Sequence, residues 1–113
     1  MNPKKIAIAL GLVGAAFLCA SISMAIEIRA SPSCGTWVKE RSEKAWQVVV
    51  SQFWVLGYLS GMALGEERDT LKGYDNDSIF LWMDNYCREN PLKQLSHGGL
   101  TLHYELVRQK GLR

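Results

Sequence analysis

The residues that could do chemistry are few, and their spacing does not match a catalytic arrangement. His97 and His103 are six positions apart, so they fall on different faces of a helix, and no Cys or carboxylate stands beside either at the spacing of a zinc site. Cys87 could act as a nucleophile with one of these histidines as its base, but a disulfide accounts for it more simply. The sequence has no phosphate-binding loop, dinucleotide fingerprint or nucleophile elbow. We therefore predict a binding protein rather than an enzyme, with no metal and no other cofactor.

Acidic residues cluster in the polar stretch that follows the central apolar segment. The run at 75–77 resembles the start of a calcium-binding loop, but the glycine and the distal Glu that such a loop requires are missing. A loop that caps the next helix explains this run better. Glu66, Glu67 and Asp69 could form a carboxylate pair, although the surrounding sequence indicates no pocket for them.

The N-terminus has the pattern of a secretory signal peptide. Residues 1–5 are basic, residues 6–20 are apolar, and the small residues Ser23 and Ala25 stand at the −3 and −1 positions of a cleavage site. We predict that residues 1–25 are removed and that the protein is periplasmic. An uncleaved anchor is the alternative, because residues 6–26 are also long enough to span a bilayer.

The remaining residues, 26–113, form one predicted domain that carries little net charge. The full chain has a formal charge of +2, and Lys4 and Lys5 of the signal peptide account for it. A near-neutral domain gives no electrostatic argument for binding nucleic acid or an anionic membrane surface.

Two cysteines remain in this domain, Cys34 and Cys87. Export to an oxidising compartment favours a disulfide between them, with two free thiols as the alternative. The bridge would close a loop of about 54 residues and stabilise the domain by about 3–4 kcal/mol.

The elements that must position these residues are predicted to be helices. Residues 45–65 contain no charged side chain, and we predict a helix that starts after an N-cap at Thr36 and runs on to Gly65. Gly57, Gly61 and Gly65 recur every four residues, so they share one helix face on which another helix could lie closely. We expect Gly61→Leu to overpack this contact. A membrane span at 45–65 is the alternative, because apolar length and small-residue spacing are also typical of transmembrane helices.

Two more helices are predicted after a polar loop. One runs over 78–88 with Asn76 or Asp77 as its cap, and the other begins at Asn90-Pro91 and stops near Gly111. The last helix has one apolar stripe, made of Leu92, Leu95, Gly99, Leu102 and Leu106. The predicted fold class is all-α: a small domain of three to four helices stapled by one disulfide.

Several of these residues together resemble the Rap/Tai immunity proteins and, more loosely, the HdeA-type acid-stress chaperones. The motif residues that carry the resemblance are Trp54, Gly57, Tyr58, Gly61, Trp82, Tyr86, Cys87 and Pro91. Rap/Tai proteins are periplasmic, bind and block peptidoglycan-cleaving amidases delivered by type VI secretion, and tend to dimerise. The resemblance implies the same for this chain: an inhibitor that covers the cleft of a cell-wall amidase.

The resemblance identifies no contact residues, so we select candidates by position. The loop after the central helix is polar, long and lies between rigid elements, which is typical of binding loops, and a simple connection between helices is the alternative. The candidate partner-binding residues are Glu66, Glu67, Arg68, Asp69 and Asp75. Two other functions stay open: an acid-stress chaperone of the HdeA type, and a small membrane protein that spans at 45–65.

Overall fold

The computed structural model describes residues 25–113, so nearly all of the predicted signal peptide lies outside the described residues. This part of the chain contains four helices and no named strand. They are α1 (Cys34–Glu43), α2 (Val48–Glu66), α3 (Asn76–Glu89) and α4 (Leu95–Gln109). The predicted all-α class is confirmed.

Helix α1 begins and ends earlier than the sequence predicted. Ser33, not Thr36, is the N-cap, and its Oγ accepts a hydrogen bond from the Thr36 N–H at 3.0 Å. The helix stops because Lys44 adopts a left-handed conformation with φ 50°, and both Lys44 N–H and Ala45 N–H donate to the Glu40 carbonyl. Glycine is the usual residue at this position of a helix end. The continuous helix predicted from Thr36 to Gly65 is therefore wrong, and α2 starts only at Val48.

The predicted disulfide is confirmed and joins α1 to α3. Cys34 and Cys87 are bonded, with their Cα atoms 4.8 Å apart. Cys34 opens α1 and Cys87 lies in the last turn of α3, so the bond fixes one end of each helix against the other. Asp75 caps α3, since its Oδ1 accepts from Ser78 N–H at 2.7 Å; the predicted caps were one and two positions too late.

Helix α4 begins at Leu95 rather than at Pro91. The backbone just before α4 pairs with the segment that precedes α1. Cys34 N–H donates to the Lys93 carbonyl and Leu95 N–H donates to the Pro32 carbonyl, both at 2.9 Å. This short bridge between Ser33 and Gln94 holds Gln94 extended, so a helix cannot run on from the proline. Leu92 consequently lies outside α4 and is 98% exposed, although the rest of the predicted stripe is buried. Gly111, with φ 61°, follows the last turn of α4 as predicted.

One core joins the four helices. Helix α2 packs on α4, α1 packs on α3, and α3 packs on α4. The buried apolar side chains are Cys34, Trp37, Val55, Leu59, Ile79, Phe80, Met83, Cys87, Leu95, Leu102 and Leu106.

The predicted packing role of Gly57, Gly61 and Gly65 is wrong within this domain. All three are exposed, and a Cβ added at any of them would meet nothing within 4 Å. The buried face of α2 carries Val55 and Leu59. A residue two positions further along a helix is rotated by about 200°, so Gly57 and Gly61, which follow Val55 and Leu59 by two positions, point away from the core.

The glycines that permit close packing are Gly98 and Gly99 on α4. A Cβ at Gly98 would lie 2.7 Å from Met83 Cε and 2.8 Å from Tyr86 Cδ1, and one at Gly99 would lie 2.7 Å from Tyr58 Cδ1. The Tyr58 ring of α2 therefore packs on Gly99 of α4, and the Tyr86 ring of α3 packs on Gly98.

Candidate partner-binding surface

The side of α2 that faces away from the core is apolar and exposed. Phe53 is 71% and Leu64 is 81% exposed, and Trp46, just before the helix, is equally open. We call this surface the outer face; its residues are Trp46, Val49, Val50, Phe53, Gly57, Gly61, Leu64 and Gly65. The glycines form a smooth strip between the large side chains, and the sequence from 45 to 65 places no charge on it. Large contiguous apolar surfaces are uncommon on monomers and mark binding sites.

Helix α2 is also long and apolar enough to cross a membrane, and in residues 25–113 no other helix meets that criterion. Its inner side is nevertheless buried against the rest of the domain, at Ser51, Val55 and Leu59. Helix α2 is therefore packed into the domain through its inner side and leaves an apolar surface exposed on its outer side.

The aromatic motif residues serve packing. Trp54 stacks on Tyr58, with ring centroids 5.0 Å apart, and Trp82 stacks on Tyr86 at 5.5 Å. Each pair is spaced four residues apart on its own helix, so the rings lie over one another. The tyrosine of each pair covers one glycine of α4. Burial raises the pKa of Tyr58 above its ordinary value.

Three of the candidate loop residues are held within the domain. Glu66 Oε2 lies 2.8 Å from Nε2 of the fully buried His103, Glu66 Oε1 accepts from the Tyr104 hydroxyl at 3.1 Å, and Arg68 lies 3.5 Å from the same carboxylate. The hydrogen bond with His103 holds the pKa of Glu66 below its usual value. Asp75 is occupied by capping, and its bond with Ser78 lowers its pKa.

The other two candidates, Glu67 and Asp69, have exposed side chains. The loop backbone around them is fixed to the end of α4, because Lys110 Nζ donates to the carbonyls of Asp69 and Lys72. The loop is thus a structured connection that leaves these two acidic side chains exposed.

A second polar network lies between α1 and α3. Asp84 is only 6% exposed; its Oδ1 accepts from Trp37 Nε1 at 2.7 Å and Arg41 Nε at 2.8 Å, and its Oδ2 accepts from Arg41 Nη2 at 2.7 Å. Burial opposes ionisation of Asp84, but the hydrogen bonds from Arg41 and Trp37 outweigh it and hold the pKa below its ordinary value. The bond to Asp84 likewise raises the pKa of Arg41.

Sequence reasoning missed both networks. Glu66 and His103 are 37 positions apart, and Arg41 and Asp84 are 43 apart, so no spacing rule connects them. A signal was present in α4, where His103 directly follows Leu102 of the apolar stripe and therefore falls at the edge of the buried face.

The site residues considered for catalysis do not come together. Cys87 is in the disulfide, and in residues 25–113 no three His, Cys, Asp or Glu side chains are placed to hold a metal ion. Exposed apolar surface is the prominent feature of this domain.

No family model, curated protein or solved structure matches the chain. The resemblance to the Rap/Tai immunity proteins rests on the motif residues alone.

Proposed function

We propose that this chain is an exported helical binding protein that docks another protein through the outer face of α2. The observation that carries the proposal is the exposure of Phe53 and Leu64 on a helix whose opposite side anchors the core. Burying such side chains against a partner removes apolar surface from water, at about 25 cal/mol per Å². No catalytic role is assigned to the chain.

The partner that the resemblance implies is a peptidoglycan-cleaving amidase, which the domain would inhibit by covering its cleft. The disulfide between Cys34 and Cys87 supports a periplasmic site of action, because such bonds persist in oxidising compartments. The free carboxylates of Glu67 and Asp69, next to the C-terminal end of the outer face, would lie at the rim of the contact.

The test is inhibition of the peptidoglycan amidases encoded in the same genome, each assayed with the purified mature domain. The proposal predicts stoichiometric inhibition of one of them. Phe53→Ser should weaken it, whereas Leu92→Ser, which removes an even more exposed apolar side chain outside the outer face, should not. Absence of inhibition in every assay, or equal inhibition by the two variants, would contradict the proposal.

An acid-stress chaperone is the second candidate, favoured by the two ionised carboxylates that tie helices together. Glu66 links α2 to α4 and Asp84 links α3 to α1, so protonating both would loosen the packing and expose apolar surface. At pH of about 2–3, well below the carboxylate pKa values, such a chaperone would suppress aggregation of an unfolded client. Unchanged client aggregation at that pH would remove this candidate.

Two further associations would use the same outer face. The resemblance implies a homodimer, in which the glycine strips of two copies would face each other. The alternative membrane protein would insert α2 instead, because that helix is long enough to span a bilayer. Light scattering of the purified domain tests the first, and recovery of the protein in the soluble periplasmic fraction would exclude the second.

A further inference from the structure

A recess of about 330 Å³ opens between α1 and α3, away from the outer face. It is lined by Val38, Arg41, Ser42, Lys44, Asp84 and Arg88. Three of these side chains are cationic and one is a carboxylate, so the recess carries an excess of positive charge.

Arg41 is fixed in place at this recess. Two of its guanidinium nitrogens, Nε and Nη2, donate to the buried carboxylate of Asp84, and the group lies 5.7 Å from the centroid of the Trp37 ring. Trp37 Nε1 binds the same carboxylate and fixes its orientation in turn. An arginine held in this way loses little conformational freedom when it binds a further group.

The outer edge of the Arg41 guanidinium is left without a partner. A guanidinium has five N–H donors, and Asp84 takes one from Nε and one from Nη2. No residue of the described chain accepts a hydrogen bond from Nη1, and the Arg41 side chain is 33% exposed, so this edge is accessible.

The two other cations of the recess form no ion pair at contact distance with a carboxylate of the described residues. Arg88 donates to the neutral side chain of Asn85 at 3.2 Å, and Lys44 forms no ion pair. Of the facing acidic groups, Asp84 binds Arg41 and Trp37 and also attracts Arg88 at longer range, while Asp77 adds a weaker attraction on Arg41.

We propose that this recess binds an oxyanion, the carboxylate or phosphate group of another molecule. The outer edge of Arg41 donates to its oxygens, and Lys44 and Arg88 supply the attraction. Charge-assisted bonds from arginine to such groups are the strong ones, and a fork that is already positioned suits their geometry. The recess and the outer face share no residue, so the oxyanion site does not depend on the proposed docking function.

The test is titration of the mature domain with inorganic phosphate and with acetate, at constant ionic strength balanced by chloride, followed by backbone amide chemical shifts. We expect saturable shifts at residues 41–44 and 84–88 with at least one of the two anions. The anion that binds identifies the chemistry, phosphate or carboxylate, and binding of both identifies a general oxyanion site.

The variant pair Lys44→Gln with Arg88→Gln removes two cations without touching Arg41 or Asp84, whose replacement could unfold the domain. It should weaken binding by about tenfold or more. The control Lys72→Gln with Lys93→Gln removes the same charge from exposed positions outside the recess and should leave the affinity unchanged. Shifts that do not saturate with either anion, or equal weakening by the two pairs, would overturn the proposal.

Discussion

At the scale of single residues, the glycines divide into two groups that the sequence does not distinguish. Gly57, Gly61 and Gly65 form the regular stripe, yet they face solvent, whereas the adjacent pair Gly98 and Gly99 receives the aromatic rings. The regular spacing indicates that the three share a face but not whether that face is inward. The positions of Ser51, Val55 and Leu59 decide it, since they bury the other side of the helix.

This division gives a matched pair of substitutions. Gly61→Ala should stabilise the domain by about 0.5–1 kcal/mol, because alanine is the better helix residue and its methyl group meets nothing. Gly99→Ala should destabilise it by about 1–3 kcal/mol, because the methyl group would press on the Tyr58 ring. Urea unfolding at neutral pH measures both, and a destabilised Gly61→Ala monomer would place the stripe in the core after all.

The buried carboxylate of Asp84 predicts an acid dependence of stability. Its folded pKa lies below the usual Asp value of about 3.9. Stability from this group is therefore complete above that value and is lost as the pH falls through the folded pKa. Unfolding free energy measured from pH 7 down to pH 2 should drop in that window.

Asp84→Asn isolates the contribution of this carboxylate to stability from those of the other acidic residues. It should cost about 1–3 kcal/mol at pH 7, because Arg41 and Trp37 lose a charged acceptor. It should also flatten the acid dependence. The exposed Glu89→Gln changes the net charge equally and serves as the control; an Asp84→Asn profile that overlays the parent profile would show that the network does not report on pH.

At the scale of helices, the sequence predicted the interiors well and the ends poorly. The body of α3 and the end of α4 at Gly111 agree with their sequence signals, although the α3 cap lies earlier than predicted. The break after α1 was missed because Lys44 occupies a left-handed position without the usual glycine. The start of α4 was displaced from Pro91 because tertiary pairing with residues 32–34 overrides a local proline signal.

The disulfide acts at this scale, since it joins the first turn of α1 to the last turn of α3. Replacing Cys34 and Cys87 by Ala should lower the free energy of unfolding by about 3–4 kcal/mol. Reducing the disulfide of the parent protein should lower its urea unfolding midpoint to that of the double variant. A change below about 1 kcal/mol would mean that packing between α1 and α3 already supplies what the bond supplies.

At the scale of the whole molecule, the fold class and the disulfide could be predicted from the sequence, while the candidate surface could not. Composition and the presence of two cysteines after the signal peptide can be read directly from the sequence, but the direction in which α2 turns its apolar sides depends on where α4 lies. The loop residues selected by position are partly engaged within the domain, since Glu66 and Arg68 bind each other and Glu66 also binds His103.

The central claim is that the outer face of α2 is the surface that a partner covers. Hydroxyl-radical footprinting of the purified domain, free and in complex with any amidase that the inhibition assays identify as its target, tests this claim most directly because oxidation reports side-chain exposure. We predict that Trp46, Phe53 and Leu64 are oxidised in the free domain and protected in the complex, while Leu92 is oxidised equally in both. A complex in which Phe53 and Leu64 stay as reactive as in the free domain would contradict the claim.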